Sequence, residues 1–172
     1  MMSQDKIDDI TTIILDVDGV LTDCRVGYGE SDEIKFFHVR DGHGIKLAMR
    51  AGLQVGLLSG RSAEANRRRA AELGMTFVYE NCKNKMQTFE KLLEEHSLRP
   101  EQCLYMGDDV VDGPVMRRCG IGVTVADAPE YMNDFCDFRT TLPGGRGAVR
   151  EVLDWLLQKQ NKWDALMERY RA

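Results

Sequence analysis

The sequence predicts an α/β fold: a doubly wound parallel sheet with helices on both faces, carrying one small β-hairpin flap. Three observations point there. Short apolar runs of strand length alternate with longer runs whose apolar residues recur at helical spacing. Strands alternating with helices form parallel sheets through right-handed crossovers. The apolar runs also end abruptly in polar clusters, most clearly in "TTIILDVDGVLTD" at 11–23, as expected where strands deliver residues to a site at their carboxyl edge.

Taken in order, Ile10–Leu15 reads as a buried strand that stops at Asp16. Residues 22–40 then interrupt the alternation. Within them "CRVGYGESDEIKFF" holds two apolar or aromatic stretches, with Gly27 and Gly29 near a turn, and reads as a hairpin. An isolated hairpin is marginal, so this one must pack on something. Ile45–Ala51 is a short helix ended by Gly52, and Leu53–Leu58 a second strand. Ser62–Leu73 is a helix with Ser62 as N-cap and Gly74 as stop. Thr76–Tyr79, Cys103–Met106 and Ile121–Val125 complete five strands, with helices at Lys85–His96 and Val111–Cys119 between them. A last helix runs from about Ala148 into the tail, where Val149, Val152, Leu153, Leu156 and Leu157 have ordinary core spacing. The division is one domain over 1–172, with the flap at 22–37 and a tail at 158–172 that repeats Trp163, Leu166, Met167 and Tyr170 at helical spacing.

Composition narrows the function. The 172 residues are enough for a sizeable core, and 43% hydrophobic with 30% charged residues argues against disorder. A net charge of −5 gives no general field for nucleic acid or anionic lipid, so an anionic substrate needs local cations. The five cysteines are scattered and form no CxxC pair, which suits small buried hydrophobes in a reducing cytoplasm. No apolar run approaches the roughly 20 residues of a membrane span.

The strand ends carry the chemistry. Asp16-Val17-Asp18 follows the first strand, Ser59-Gly60-Arg61 the second, Lys85 comes shortly after the third, and Asp108, Asp109 and Asp112 follow the fourth. In a parallel sheet all four clusters face one rim. So many carboxylates repel without a cation, and all-oxygen ligation suits Mg²⁺. Ser59 and Lys85 offer donors to a phosphoryl group, and Gly60 permits close backbone approach. A carboxylate can attack phosphorus to give an aspartyl-phosphate. Its neighbour two residues on can protonate the leaving oxygen and then activate water. Singly, a DxD, an SGR or a GDD is an ordinary loop; four clusters in this order are not.

The motifs "DVDGV" (16–20), "LLSGR" (57–61), Lys85 and "GDDVVD" (107–112) resemble the four motifs of the haloacid dehalogenase superfamily of phosphatases. The resemblance implies that Asp16 is the nucleophile and Asp18 the general acid/base. It implies that Asp16, the Asp18 carbonyl and Asp108 hold Mg²⁺, and that Ser59 and Lys85 bind the phosphoryl group. Asp16 and Ser59 lie 43 positions apart and Ser59 and Lys85 26, which leaves no room for a cap domain. A capless, Rossmann-like domain with only the 22–37 flap has an open site, which neighbouring subunits could cover.

A narrower resemblance is to the 3-deoxy-D-manno-octulosonate 8-phosphate phosphatases, capless homotetramers. It rests on "FFHVRDGHGIKL" (36–47), "SGRSAEANRRRAAELG" (59–74), "GDDVVDGPVM" (107–116), "VADA" (125–128) and "GGRGAVREV" (144–152). It implies hydrolysis of a sugar-acid phosphate for lipopolysaccharide precursor synthesis. By the same resemblance His38, Val39, Arg40, Asp41 and Gly42 line the substrate pocket, and Lys46, Arg61 and Arg69 supply positive charge. His38 stands where the family usually has Asn. A nonulosonate 9-phosphate phosphatase is the alternative with the same chemistry. A phosphate-accepting receiver domain ranks below both, because its adjacent acids would follow the first strand rather than the fourth.

Overall fold

The computed structural model describes residues 2–30 and 32–171. Met1, Ser31 of the expected flap and Ala172 of the expected tail lie outside the described residues. After helix α1 (Gln4–Asp8) come strand β1 (Thr12–Leu15) and the hairpin strands β2 (Gly27–Tyr28) and β3 (Glu33–Ile34). Then follow α2 (Val39–Arg50), β4 (Gln54–Leu58), α3 (Glu64–Leu73), β5 (Phe77–Tyr79), α4 (Lys85–Glu95) and β6 (Cys103–Gly107). The chain ends with α5 (Gly113–Arg118), β7 (Ile121–Thr124), β8 (Phe138–Arg139), α6 (Ala148–Lys159) and α7 (Trp163–Met167). Six strands form one parallel sheet in the order β5-β4-β1-β6-β7-β8, while β2 and β3 pair antiparallel apart from it.

The sheet is covered on both faces, which is why its central strands are apolar throughout. Along β1, Ile13 and Leu15 enter the core shared with α2, α3 and α6, whereas Ile14 enters the core shared with α4 and α5. In β6, Leu104 and Met106 face the first core, and Cys103 and Tyr105 the second. Strand order runs outward from β1 through β4 to β5, then returns to β6 on the other side. The sheet therefore has its topological switch point between β1 and β6, where such folds leave a crevice at the carboxyl ends.

Several boundaries differ from the sequence expectation. Helix α2 begins at Val39, six residues before Ile45. Its Gly42 and Gly44 are poor helix formers, but close packing requires them: an added Cβ would lie 2.2 Å from the Arg69 guanidinium and 2.8 Å from Arg150 of α6, respectively. Ser62 does not cap α3. Ala63 takes that position and its N–H donates to the Glu80 carboxylate at 3.0 Å, while the Ser62 hydroxyl turns to Glu80 as well. Gly74 does end α3, in a left-handed conformation at φ 74°. The short α1 and the two-residue β8 are additional. The last helix stops at Lys159, and Asn161 at φ 56° turns the chain into the separate α7. Trp163, Leu166 and Met167 of that tail pack on the chain's own core, and the Tyr170 hydroxyl accepts from Arg50 at 2.9 Å. All five cysteines are free; Cys82 and Cys103 are buried as expected, but Cys24 is exposed.

Candidate active site

Three parallel strands and one helix start bring the site together. Strand β1 delivers Asp16, whose N–H continues the sheet by donating to Met106 O at 3.0 Å. The chain then turns sharply through Val17–Leu21, with Gly19 at φ 93°. A Cβ on Gly19 would fall 2.0 Å from Asp108 Oδ2, so this turn needs glycine on both conformational and steric grounds. Strand β4 delivers the buried Ser59, whose N–H donates to Tyr79 O at 2.8 Å. Lys85 is the first residue of α4, which Asn84 caps by accepting from Gln87 N. Strand β6 delivers Asp108 and Asp109, with Asp112 one turn further on.

These residues converge on a cleft of about 220 Å³. It contains Asp16, Asp18, Ser59, Gly60, Arg61, Lys85, Asp108 and Asp109 of the sequence-predicted set, together with Cys24. Asp112 is fully buried beneath it and organises it. Its Oδ1 accepts from Lys85 Nζ and from the Tyr105 hydroxyl, both at 2.6 Å. Its Oδ2 accepts from the N–H groups of Asp108 at 3.2 Å and Asp109 at 3.3 Å. Lys85 in turn reaches Asp16 Oδ2 at 2.9 Å, so one ammonium bridges the strand-end acid and the buried one.

The electrostatics show a site short of positive charge. Burial and the Asp112 charge push the Asp16 carboxyl up to about 8, despite Lys85. Burial and Asp112 likewise push Asp108 up to about 7. Burial alone would lower the Lys85 ammonium, but Asp16 and Asp112 outweigh it and hold it above its usual range. Oxygens of Asp16, Asp108 and Asp112 lie within 4.8 Å of one another. Both Asp112 oxygens already accept protein donors, which leaves Asp16 and Asp108 as the carboxylates able to hold a cation. A buried and a half-buried carboxyl that resist ionising, with Cys24 as the one sulfur lining the cleft among the described residues and no histidine in it, fit a hard divalent ion, whose charge would reverse both shifts. The Asp18 carboxylate points elsewhere: Oδ1 accepts from Lys35 Nζ at 2.7 Å, and Oδ2 is 3.8 Å from Arg61 Nε.

Within this chain, most of the expected sugar-pocket residues do not reach this cleft. Asp41 is buried because its oxygens accept from Gly147 N at 3.3 Å and Arg150 N at 2.8 Å, capping α6. His38 Nδ1 faces Asp41 at 3.6 Å. Val39 and Arg40 are exposed, and Gly42 packs under Arg69. Lys46 donates to Glu72 O at 3.1 Å and Arg69 pairs with the Glu72 carboxylate at 2.9 Å. Arg69 lines a second, larger groove of about 540 Å³ between the flap and α3, whose lining includes Glu33 and Lys35 but none of Asp16, Asp18, Asp108 and Asp109. Arg61 is the expected sugar-binding cation that lies in the cleft, tied to Glu33 of the flap. Sequence reasoning missed Lys35, Glu33 and Tyr105. Lys35 carried one signal, a charged residue set between the apolar residues of "EIKFF".

The model of the haloacid dehalogenase-like hydrolase family matches residues 41–120. The chain is 44% identical over 160 residues to the 3-deoxy-D-manno-octulosonate 8-phosphate phosphatase KdsC of Escherichia coli strain K12, covering 92% of this chain and 85% of that one. The chain belongs to the 3-deoxy-D-manno-octulosonate 8-phosphate phosphatase family of haloacid dehalogenase-like hydrolases. Two solved structures show how closely the fold follows that family. The enzyme from Moraxella catarrhalis, in complex with a magnesium ion, a phosphate ion and a KDO molecule, superposes with a TM-score of 0.93 at 33% identity, over 97% of each chain. The cobalt-bound form from Haemophilus influenzae superposes with a TM-score of 0.88 at 44% identity, over 91% of this chain and 92% of that one. Membership in this phosphatase family leaves the receiver-domain alternative without support.

Proposed function

We propose that this chain is a Mg²⁺-dependent phosphatase that hydrolyses 3-deoxy-D-manno-octulosonate 8-phosphate to the free sugar acid and phosphate. The observation that carries the reading is the Asp16–Lys85–Asp112 chain beside Asp108 at the switch point of the sheet. Asp16 and Asp108, with the Asp18 carbonyl, would hold the magnesium ion, which supplies positive charge against the phosphoryl oxygens. Ser59 and Lys85 bind the phosphoryl group. A carboxylate oxygen of Asp16 attacks phosphorus, the bond from phosphorus to the sugar oxygen breaks, and Asp18 gives its proton to that oxygen. The Asp18 carboxylate then takes a proton from water as the water oxygen attacks phosphorus. The bond to Asp16 breaks, releasing phosphate and restoring both carboxyls. Arg61, which lines the cleft, would meet the substrate's carboxylate, a pairing that guanidinium geometry favours.

In this reading the enzyme is a cytoplasmic homotetramer whose neighbours cover the open cleft. No described helix is long and apolar enough to cross a membrane. The flap side exposes Tyr28 at 82%, Phe36 at 74% and, at the start of α2, Val39 at 79%, a surface suited to a neighbouring copy. The tail packs on its own subunit, so the flap face rather than the tail is the expected cover. Arg40, Lys46 and Arg69 then act across that interface. The test is phosphate release with Mg²⁺ from a panel of eight- and nine-carbon sugar-acid phosphates, alongside solution mass. Preferred turnover of the eight-carbon substrate by a tetramer supports the reading. Preference for a nine-carbon substrate would transfer it to the nonulosonate alternative, and a monomer would refute the assembly.

A further inference from the structure

The flap places a lysine where a hairpin ordinarily places an apolar side chain. Ile34 and Phe36, either side of Lys35, are exposed, yet the Lys35 side chain is 0% exposed. A buried ammonium is costly to desolvate unless it is paired. Here Nζ donates to Asp18 Oδ1 at 2.7 Å and lies 3.9 Å from Glu33 Oε2. Glu33 also binds the Arg61 guanidinium, whose Nε is 3.8 Å from Asp18 Oδ2. One flap carboxylate thus gathers two cations around Asp18. Beyond these ion pairs the flap is tied to α3, where Asp32 Oδ2 accepts from Glu64 N at 2.8 Å; β2 and β3 are two residues each and pair with each other, apart from the main sheet.

We infer that Lys35 is a positioning residue for the proton-transfer step: it fixes the Asp18 carboxyl by occupying Oδ1, which leaves Oδ2 to carry the proton to the leaving oxygen. Without Lys35 the carboxyl rotates about its own bond and the two oxygens lose their distinct roles. The same contact makes the flap part of the catalytic apparatus, because the ordering of Glu33–Phe37 sets the geometry of Asp18. This inference rests on the phosphatase reading with Asp18 as the acid.

The test is kcat/KM for the wild type, Lys35→Met and Lys35→Gln on two substrates with Mg²⁺: 3-deoxy-D-manno-octulosonate 8-phosphate, which must lose an alkoxide, and 4-nitrophenyl phosphate, which loses a stable phenolate. That constant reports only the steps up to leaving-group departure. Lys35 acting through Asp18 predicts a loss of about 10²-fold on the sugar phosphate, as for a displaced general acid, with little change on the aryl phosphate. A merely structural role moves both alike. Equal losses on the two substrates, or no loss on the sugar phosphate, overturn the inference alone. A wild type that hydrolyses neither overturns the phosphatase reading and this inference with it.

Discussion

Asp112→Asn tests the organisation of the site without touching a reacting atom. All four contacts of Asp112 are donors: Lys85 Nζ and the Tyr105 hydroxyl on one oxygen, the N–H groups of Asp108 and Asp109 on the other. Asparagine keeps the shape but has only one acceptor oxygen, so its NH₂ group must confront one pair of donors. If it faces the backbone, two N–H groups lose their acceptor. If it faces Lys85, a buried ammonium loses half of its pairing. Removing one partner of a buried ion pair costs about 3–5 kcal/mol. The lost charge also relieves the repulsion that Asp112 exerts on Asp16 and Asp108, and Lys85 keeps Asp16, so the lower end applies. A loss of about 3 kcal/mol lowers the midpoint of a domain this size by roughly 6–12 °C. The assay is urea and thermal unfolding of metal-free protein, followed by circular dichroism. A loss below about 1 kcal/mol, the worth of one ordinary hydrogen bond, would refute the view of Asp112 as the hub.

Metal-free protein should lose stability progressively as pH rises from about 4 to about 8. Asp16 and Asp108 hold protons more tightly when folded, at about 8 and about 7, than an ordinary carboxyl at 3.8, so their contribution is complete below about pH 4, is lost progressively above it, and is gone once the folded carboxyls ionise. Added Mg²⁺ should flatten that slope, and a Mg²⁺-induced rise in Tm no larger at pH 8 than at pH 5 would contradict the cation site. Gly19→Ala should cost both stability and turnover, since φ 93° strains an alanine and its Cβ would meet Asp108 Oδ2 at 2.0 Å; wild-type kcat in that variant would show that Asp108 is free to move. Arg61→Ala should weaken the sugar-acid phosphate more than an aryl phosphate, and equal losses would confine Arg61 to the phosphoryl group.

The sheet and the acids were legible because their signals are local. A strand buried on both faces is a continuous apolar run, and "ILDVD" shows where it stops. The same holds for Ser59 and for Asp108, each directly behind such a run. Less legible was whatever depends on a distant partner. Glycines at 42 and 44 mask the first turns of α2, because only the approach of Arg69 and Arg150 explains them. The acceptors at the start of α3 are Glu80, for the Ala63 N–H, and Asp32 of the flap, for the Glu64 N–H, both distant in sequence, and not neighbouring Ser62. Asp112 reads as one more acid in "GDDVVD", and its role as hub depends on Tyr105 and Lys85, which lie on other elements. Asp41, expected in the sugar pocket, is committed to α6, a contact more than a hundred positions away.

The most direct measurement is release of inorganic phosphate from 3-deoxy-D-manno-octulosonate 8-phosphate, with Mg²⁺, by wild type and Asp16→Asn side by side. The account predicts steady turnover by the wild type and none by Asp16→Asn, with the variant's unfolding transition still cooperative. Removing the Asp16 charge relieves a buried carboxyl that resists ionising, so folding has no reason to fail. Turnover by a folded Asp16→Asn protein at the wild-type rate would contradict the account at its centre.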